Sequence, residues 1–196
     1  MLSYVRPAVV MMVLFTLLTG LAYPLAMTGI AGVAFPAQAG GSLVSDARGK
    51  VIGSSLLAQG FARPEYLHPR PSAAGAGYDP TSSGGSNLGP MDPKLASRMT
   101  TDAATYRKDN PTATVVPADA LTTSGSGLDP DISPANAQLQ AARIAARRGA
   151  SVSEVLAVID ANTAQPTLGF LGDPRVNVLA VNRALDARYP VAQPKA

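Results

Sequence analysis

Hydrophobic and polar positions divide this chain sharply. No charged residue occurs between Arg6 and Asp46, and residues 8–30, AVVMMVLFTLLTGLAYPLAMTGI, form an almost unbroken apolar run. A helix needs about 20 such residues to cross the hydrocarbon core of a bilayer. Residues 8–30 are therefore expected to form a transmembrane helix, with 1–7 as a short cytoplasmic tail and 31–41 as a linker. Gly20 and Pro24 are tolerated in membrane helices where a neighbour re-satisfies the backbone. Tyr23 lies deep in the run, where a phenol suits an interhelical contact. Gly20, Tyr23 and Pro24 are thus the candidate interface of this helix. A cleaved signal peptide, releasing a secreted periplasmic binding or hydrolytic protein, is the competing reading: Ala37-Gln38-Ala39 fits an A-x-A site, and cleavage would leave Gly40 first. The apolar run exceeds the roughly 7–15 residues of a usual signal core, which favours a retained helix. Arg6 and the terminal amine argue for a cytoplasmic N-terminus. Arg48 and Lys50 beyond the run blunt that bias, but a large domain is exported largely regardless of charge. Residues 42–196 are expected to be one small extracytoplasmic α+β domain.

Within that domain the period of the pattern changes repeatedly. Residues 43–46 and 50–57 read as strands around a turn at Gly49. Residues 63–90 are rich in Pro, Gly and Ser yet keep Tyr66, Leu67, Tyr78 and Leu88, so they are expected to be an ordered surface loop rather than a disordered one. Asp92-Pro93 is an N-cap and first helical residue, Leu95, Met99, Ala103 and Tyr106 mark one helical face, and Asn110-Pro111 stops it. TATVV at 112–116 is a strand candidate. Ser133-Pro134 opens a helix that runs to Arg148, with Gly149 beyond its end. Ser151 and Glu154 form a capping box ahead of Val152, Val155, Leu156 and Ile159, spaced for a second helix. TLGFLG at 167–172 reads as strand or turn. Asp173-Pro174 is expected to open a last helix carrying Val178, Val181 and Leu185 on one side. The order suggests strands first and helices later, with no internal repeat.

Composition narrows the chemistry. Of 196 residues, 5% are aromatic, 18 are Gly and 17 Pro, which fits a loop-rich domain better than a helical bundle. No Cys is present, so disulfides, thiolate metal sites and a Cys nucleophile are out. The net charge of +3 is small, and the one dense basic cluster, Arg143, Arg147 and Arg148, has no aromatic platform, so nucleic acid is not an expected partner. His68 is the only histidine. It sits between Leu67 and Pro69 without a nucleophile elbow, which makes a catalytic triad or a zinc site a poor reading. Asp129 and Asp131 could hold a hard cation, but Asp-Pro turns are commoner, and no metal site is assigned. No Walker-type phosphate loop occurs. One stretch stays open: TTSGSGLDPDISPANAQ, residues 122–138, ahead of a helix start. It can be a turn with a helix cap, a protein-contact surface, or a phosphate cradle on the helix N-terminus.

Several motifs in order resemble the C subunit of the Kdp potassium-transporting ATPase. They are GLAYPL at 20–25, FPAQAGGSL at 35–43, RPSA at 70–73, SGGSNLGP at 83–90, SGSGLDPDISP at 124–134 followed by Gln140, Arg143 and Ile144-Ala145, and LGDPRVNVLAVN at 171–182. The chain departs from the family pattern at Gly40, Ala58, Pro69 and Asp131, the last standing where a His is frequent. The resemblance implies a non-catalytic subunit of the bacterial inner membrane. Its partners would be a channel-like A subunit, a P-type ATPase B subunit, a small F subunit and membrane lipid. It also implies a catalytic chaperone that raises the ATP affinity of the B subunit, with the Ser/Gly loop and Gln140 acting like an ABC signature motif. No cofactor is expected to bind tightly, and ATP would act at the level of the complex. An extracytoplasmic domain conflicts with direct ATP contact, because ATP is cytoplasmic. Carried over, the candidate partner or nucleotide contacts are Arg70, Ser72, Ser83, Gly84, Gly85, Ser86, Asn87, Ser124, Gly125, Ser126, Gly127, Asp129, Gln140 and Arg143.

Overall fold

The computed structural model describes residues 2–46 and 48–191. Positions 1, 47 and 192–196 of the expected tail and domain lie outside the described residues. The chain forms two compact units, Met1–Ser54 and Ser55–Ala196. The apolar run is helical from Val5 to Ala34, as α1 (Val5–Leu17), a π-helical turn (Leu18–Ala22) and α2 (Tyr23–Ala34). These 30 residues are long and apolar enough to cross a membrane. At 1.5 Å per residue they reach about 45 Å, so the helix extends past the hydrocarbon layer or tilts within it. The helix itself runs beyond the expected 8–30 at both ends. Much of the supposed linker is helical too, because nothing breaks the backbone before Phe35, which precedes Pro36 and leaves the helical region with ψ of 58°. A short α3 (Pro36–Ala39) follows. The antiparallel hairpin β1 (Leu43–Ser45) and β2 (Val51–Ser54) closes the first unit. Its turn is drawn tight by the Asp46 carboxylate, which accepts from the N–H groups of Arg48 and Lys50.

In the second unit, α4 (Pro93–Asp109) starts on Asp92, whose side chain accepts from the Lys94 N–H. Leu95, Met99, Ala103 and Tyr106 are half-buried along one face, as their spacing predicts. α5 (Pro134–Arg148) is capped by Ser133 and ends on Gly149 at φ 64°, a left-handed value that glycine reaches without strain. α6 (Val152–Ala161) has both arms of the Ser151–Glu154 capping box. Its buried residues are Val155, Val158 and Ile159, while Val152 is 44% exposed. Val155, Leu156 and Ile159 thus pack in or against the core as expected, and Val152, the first helical residue, is the exception.

A three-stranded antiparallel sheet is threaded between these helices: β3 (Asp131–Ile132), β4 (Thr163–Ala164) and β5 (Arg175–Asn177), in the order β3-β5-β4. Ile132 and Thr163 both lie opposite the buried Val176. The expectation of strands first and helices later is thus corrected. So is the start of the last helix. Residues 175–177 pair as the central strand, and α7 (Val178–Arg188) begins only after Asn177, whose side chain accepts from the Ala180 N–H. Val178, Val181 and Leu185 are buried as expected. TATVV is not a strand: Ala113 N–H turns back to Asn110 C=O, and Pro111 and Pro117 deny the segment ladder donors at both ends. TLGFLG is a turn bridged between Thr167 and Leu171.

The core gathers Ile132, Ala137, Ala141, Ile144, Val155, Ile159, Val176, Val181 and Leu185, together with Leu67 from the long loop. Ile144 is fully buried where α5 and α6 meet the sheet. Ile144→Ala is expected to lower the unfolding free energy by about 2–5 kcal/mol, the usual range for truncating a buried Ile. Thermal or denaturant unfolding of the purified chain in detergent checks this, with the exposed Ala146→Gly on the same helix as the reference for a propensity effect of about 1 kcal/mol.

Candidate functional site

Residues 63–66 form a turn, closed by Tyr66 N–H on the Arg63 carbonyl, that delivers Leu67 and His68 beside α5 and α7 with no strand as partner, yet Leu67 is fully buried. Its peptide groups must therefore find partners within the protein. Side-chain amides supply them. Asn182 Oδ1 accepts from the Leu67 N–H at 2.7 Å, and Asn182 Nδ2 donates to the Leu67 carbonyl at 2.9 Å. Gln140 repeats the pattern one residue on, accepting from the His68 N–H at 2.8 Å and donating to the His68 carbonyl at 3.2 Å. Each amide presents an acceptor and a donor to one residue, as a neighbouring strand would. Both side chains are 1% exposed.

Two arginines complete the clamp. Arg143 donates to the carbonyls of Pro64 and Tyr66, to Asn110 Oδ1 and to Gln140 Oε1. Arg148 donates to the Glu65 carbonyl, the Tyr189 carbonyl and Asp186, and lies over the Tyr66 ring. Burial, and then the Arg143 charge, push the His68 imidazole below its ordinary value of 6.5. Asp109, Glu65 and the Arg63 carbonyl act in the opposite direction.

The other motif residues meet in a second cluster. Ser72 Oγ donates to the Gly127 carbonyl at 2.6 Å and accepts from the N–H groups of Ala74 and Tyr78. Gly84 N–H and Ser83 Oγ both donate to the Ser126 carbonyl. A side chain on Gly85 would press on the Gly125 carbonyl at 3.2 Å. Gly127 is tighter still: φ is 66°, and a Cβ would stand 2.6 Å from the Gly84 carbonyl and 2.7 Å from the Ala74 nitrogen. Arg70 binds the Thr122 carbonyl and hydroxyl and pairs with Asp129 at 2.9 Å. Ser124 is half-buried with its hydroxyl facing that of Ser126. Ser86 is half-buried, and Asn87 is exposed with φ of 53°. Three motifs far apart in sequence thus form one cluster, while Gln140 and Arg143 belong to the clamp beside it. Gly20, Tyr23 and Pro24 lie in the other unit.

The helix start in the open stretch is already occupied. The Asp119 carboxylate accepts from Ser133 N–H at 2.7 Å, Ser133 Oγ at 3.0 Å and Asn136 Nδ2 at 3.2 Å. This is the place an anion would take at the positive end of α5. The adjoining recess is lined by Asp119, Asp129, Asp131 and Asp173 against Arg70 and Arg175. Burial first, and then the Asp129 charge, raise the Asp131 carboxyl above its ordinary range. Both members of the D-x-D pair face arginines, Asp129 toward Arg70 and Asp131 toward Arg175. Asn136 continues the network, its Oδ1 accepting from Gln140 Nε2 and from the Tyr106 phenol. That phenol is pushed up to about 12 by burial and by Asp119.

Sequence reading missed Asn182, Asn136 and Asp119. The first two had a signal: each is an amide on the apolar stripe of a helix, Asn182 between Val178 and Leu185, Asn136 beside Ala137. Asp119 had none, because its contact with α5 depends on how an irregular segment folds back.

Asn182→Ala is expected to cost about 1–3 kcal/mol for each Leu67 peptide group left unmet, and Gln140→Ala a comparable amount. The double variant should cost less than the sum, since either change frees the same segment. Gly127→Val should destabilise more than Gly125→Val. His68 adds a pH dependence. Its folded value is depressed, so its contribution to stability is full above 6.5 and is lost as the pH falls through the folded value. Unfolding free energies of the natural chain and of His68→Gln should run parallel above 6.5 and converge or separate only as the pH falls below it.

The chain matches the family model described as K+-transporting ATPase, c chain, over residues 5–187. It is 65% identical over 190 residues to the potassium-transporting ATPase KdpC subunit of Caulobacter vibrioides, covering 97% of this chain and 96% of that protein. To the KdpC subunits of Beijerinckia indica and Rhodospirillum rubrum it is 56% identical over 195 residues and 51% over 193, with 98% and 100% of those proteins covered. An end-to-end match at this identity places the apolar helix and both loop clusters in one lineage, and the chain belongs to the KdpC family, the non-catalytic C subunit of the potassium-transporting ATPase.

Proposed function

We propose that this subunit supports potassium uptake by assembling with the channel-like A subunit, the P-type ATPase B subunit and the small F subunit. In this reading its second unit is a rigid protein-contact surface outside the cytoplasm and not a nucleotide site. The observation that carries it is the Asp119 carboxylate at the start of α5. A phosphate there would have to displace a hydrogen-bonded anion and enter a recess with four aspartates and two arginines. In the Ser/Gly cluster the Ser72 and Ser83 hydroxyls close one loop over another on the carbonyls of Gly127 and Ser126, and Ser83, Asn87, Gly125 and Ser126 form its exposed edge. A rise in the ATP affinity of the B subunit would then be transmitted through subunit contacts.

The cytoplasmic N-terminus rests on Arg6 and on the absence of charge up to Asp46. It also fits a nucleotide-free role, since ATP is cytoplasmic. Reporter fusions at Gly53 and Ala150 should both report the extracytoplasmic side, and an active cytoplasmic reporter at either site would reverse the orientation.

The purified chain in detergent is expected to show no stabilisation by millimolar ATP with magnesium. A specific ligand at 100 times its dissociation constant adds about 2.7 kcal/mol. A thermal shift of that size, abolished by Ser126→Pro at the loop and not by Val13→Leu in the span, would overturn the contact-surface reading.

A further inference from the structure

The apolar span contains one irregular turn with a chemical consequence. Pro24 has no N–H, and in a regular α-helix its ring collides with the carbonyl four residues back, that of Gly20. The helix widens instead into the π-helical turn Leu18–Ala22. Tyr23 N–H reaches back five residues to the Leu18 carbonyl. The Thr19 carbonyl thereby loses its usual donor, Tyr23, and the residue five on is Pro24, which has none to give. The hydroxyl of Thr19 does not replace it, because Oγ1 donates one turn back to the Phe15 carbonyl at 2.6 Å. At the same turn Gly20 carries no side chain, so another backbone can approach closely.

In hydrocarbon an unmet carbonyl is costly, and neither water nor an acyl chain is available to donate. A neighbouring helix with a polar side chain removes that cost, which is how interrupted membrane helices are usually completed. We propose that the Thr19 carbonyl accepts a hydrogen bond from a side-chain hydroxyl or amide on a membrane-spanning helix of another ATPase subunit, seated against Gly20 and Tyr23. A second copy of this chain fits less well. With the Thr19 hydroxyl already spent, the donor a second copy brings to this depth is the Tyr23 phenol, and membership of a multi-subunit ATPase favours another subunit instead. The inference rests on the membrane-subunit reading and adds the depth, the acceptor atom and the donor chemistry of the contact.

The test uses the tagged full-length chain co-expressed with the other subunits. A photo-cross-linking benzoylphenylalanine replaces Tyr23 or, on the opposite side at 100° per residue, Leu25. Irradiation is expected to join position 23 to another subunit several-fold more than position 25. Pro24→Ala, which returns the missing N–H, should lower that yield several-fold while the amount of chain in the membrane stays level. Adducts of position 23 only with lipid, or only with a second copy, overturn the inference. So does an unchanged yield in Pro24→Ala. Failure of the natural chain to co-purify with any other subunit overturns the underlying reading instead, and is seen before irradiation.

Discussion

The second unit depends on a pair of side-chain amides doing the work of a β-strand. Leu67 belongs to a segment full of proline, with His68-Pro69 and Arg70-Pro71 following it, so the segment cannot join a regular ladder. It must nonetheless enter the core, because Leu67 is fully buried among Val181, Ile144 and their neighbours. Asn182 and Gln140 resolve the conflict by bonding both peptide groups of successive residues from two different helices. The same contacts fix α5 and α7 relative to one loop. Arg143 and Arg148 extend the hold to Pro64, Glu65 and Tyr66. A long irregular loop is thereby made as rigid as the helices it crosses.

That rigidity bears on how the glycine- and serine-rich loops are read. A phosphate cradle offers free N–H groups on a concave backbone and a positive helix end. Here Ser126 and Gly127 turn their carbonyls to Ser72, Ser83 and Gly84, and the glycines are needed because the loops touch backbone to backbone. The helix end faces Asp119, which balances the dipole from within the chain. Close loop packing and internal neutralisation suit a surface that keeps its shape against a large partner.

Helices were legible in the sequence wherever their ends are set by local chemistry. Asp92-Pro93, Ser133-Pro134 with Gly149, and the Ser151–Glu154 box each act over four residues or fewer, and all formed as read. The three-stranded sheet was not legible, since strands of two or three residues are too short to show alternation, and β5 hides between Pro174 and the start of α7. Asn177 explains the late helix start: it caps α7 and also reaches the Asp131 carboxylate across the sheet. Motif order brought Gln140 and Arg143 forward together, and they do act together. Their task could not be read from spacing, because their partners are peptide groups of residues 64–68, about seventy-five positions away in sequence.

One accounting rule therefore governs both units: each buried peptide group needs a partner, and proline removes donors. In the second unit the prolines at 64, 69 and 71 remove ladder donors, and helix-borne Asn, Gln and Arg side chains supply the missing bonds. In the first unit Pro24 removes a donor, and residues 19–28 around it, TGLAYPLAMT, include no amide or guanidinium side chain. The nearest hydroxyl is already turned toward Phe15. An isolated helix has no further means of closing that account in hydrocarbon. A subunit built to remain in a complex has one, because the missing donor can be carried by its neighbour.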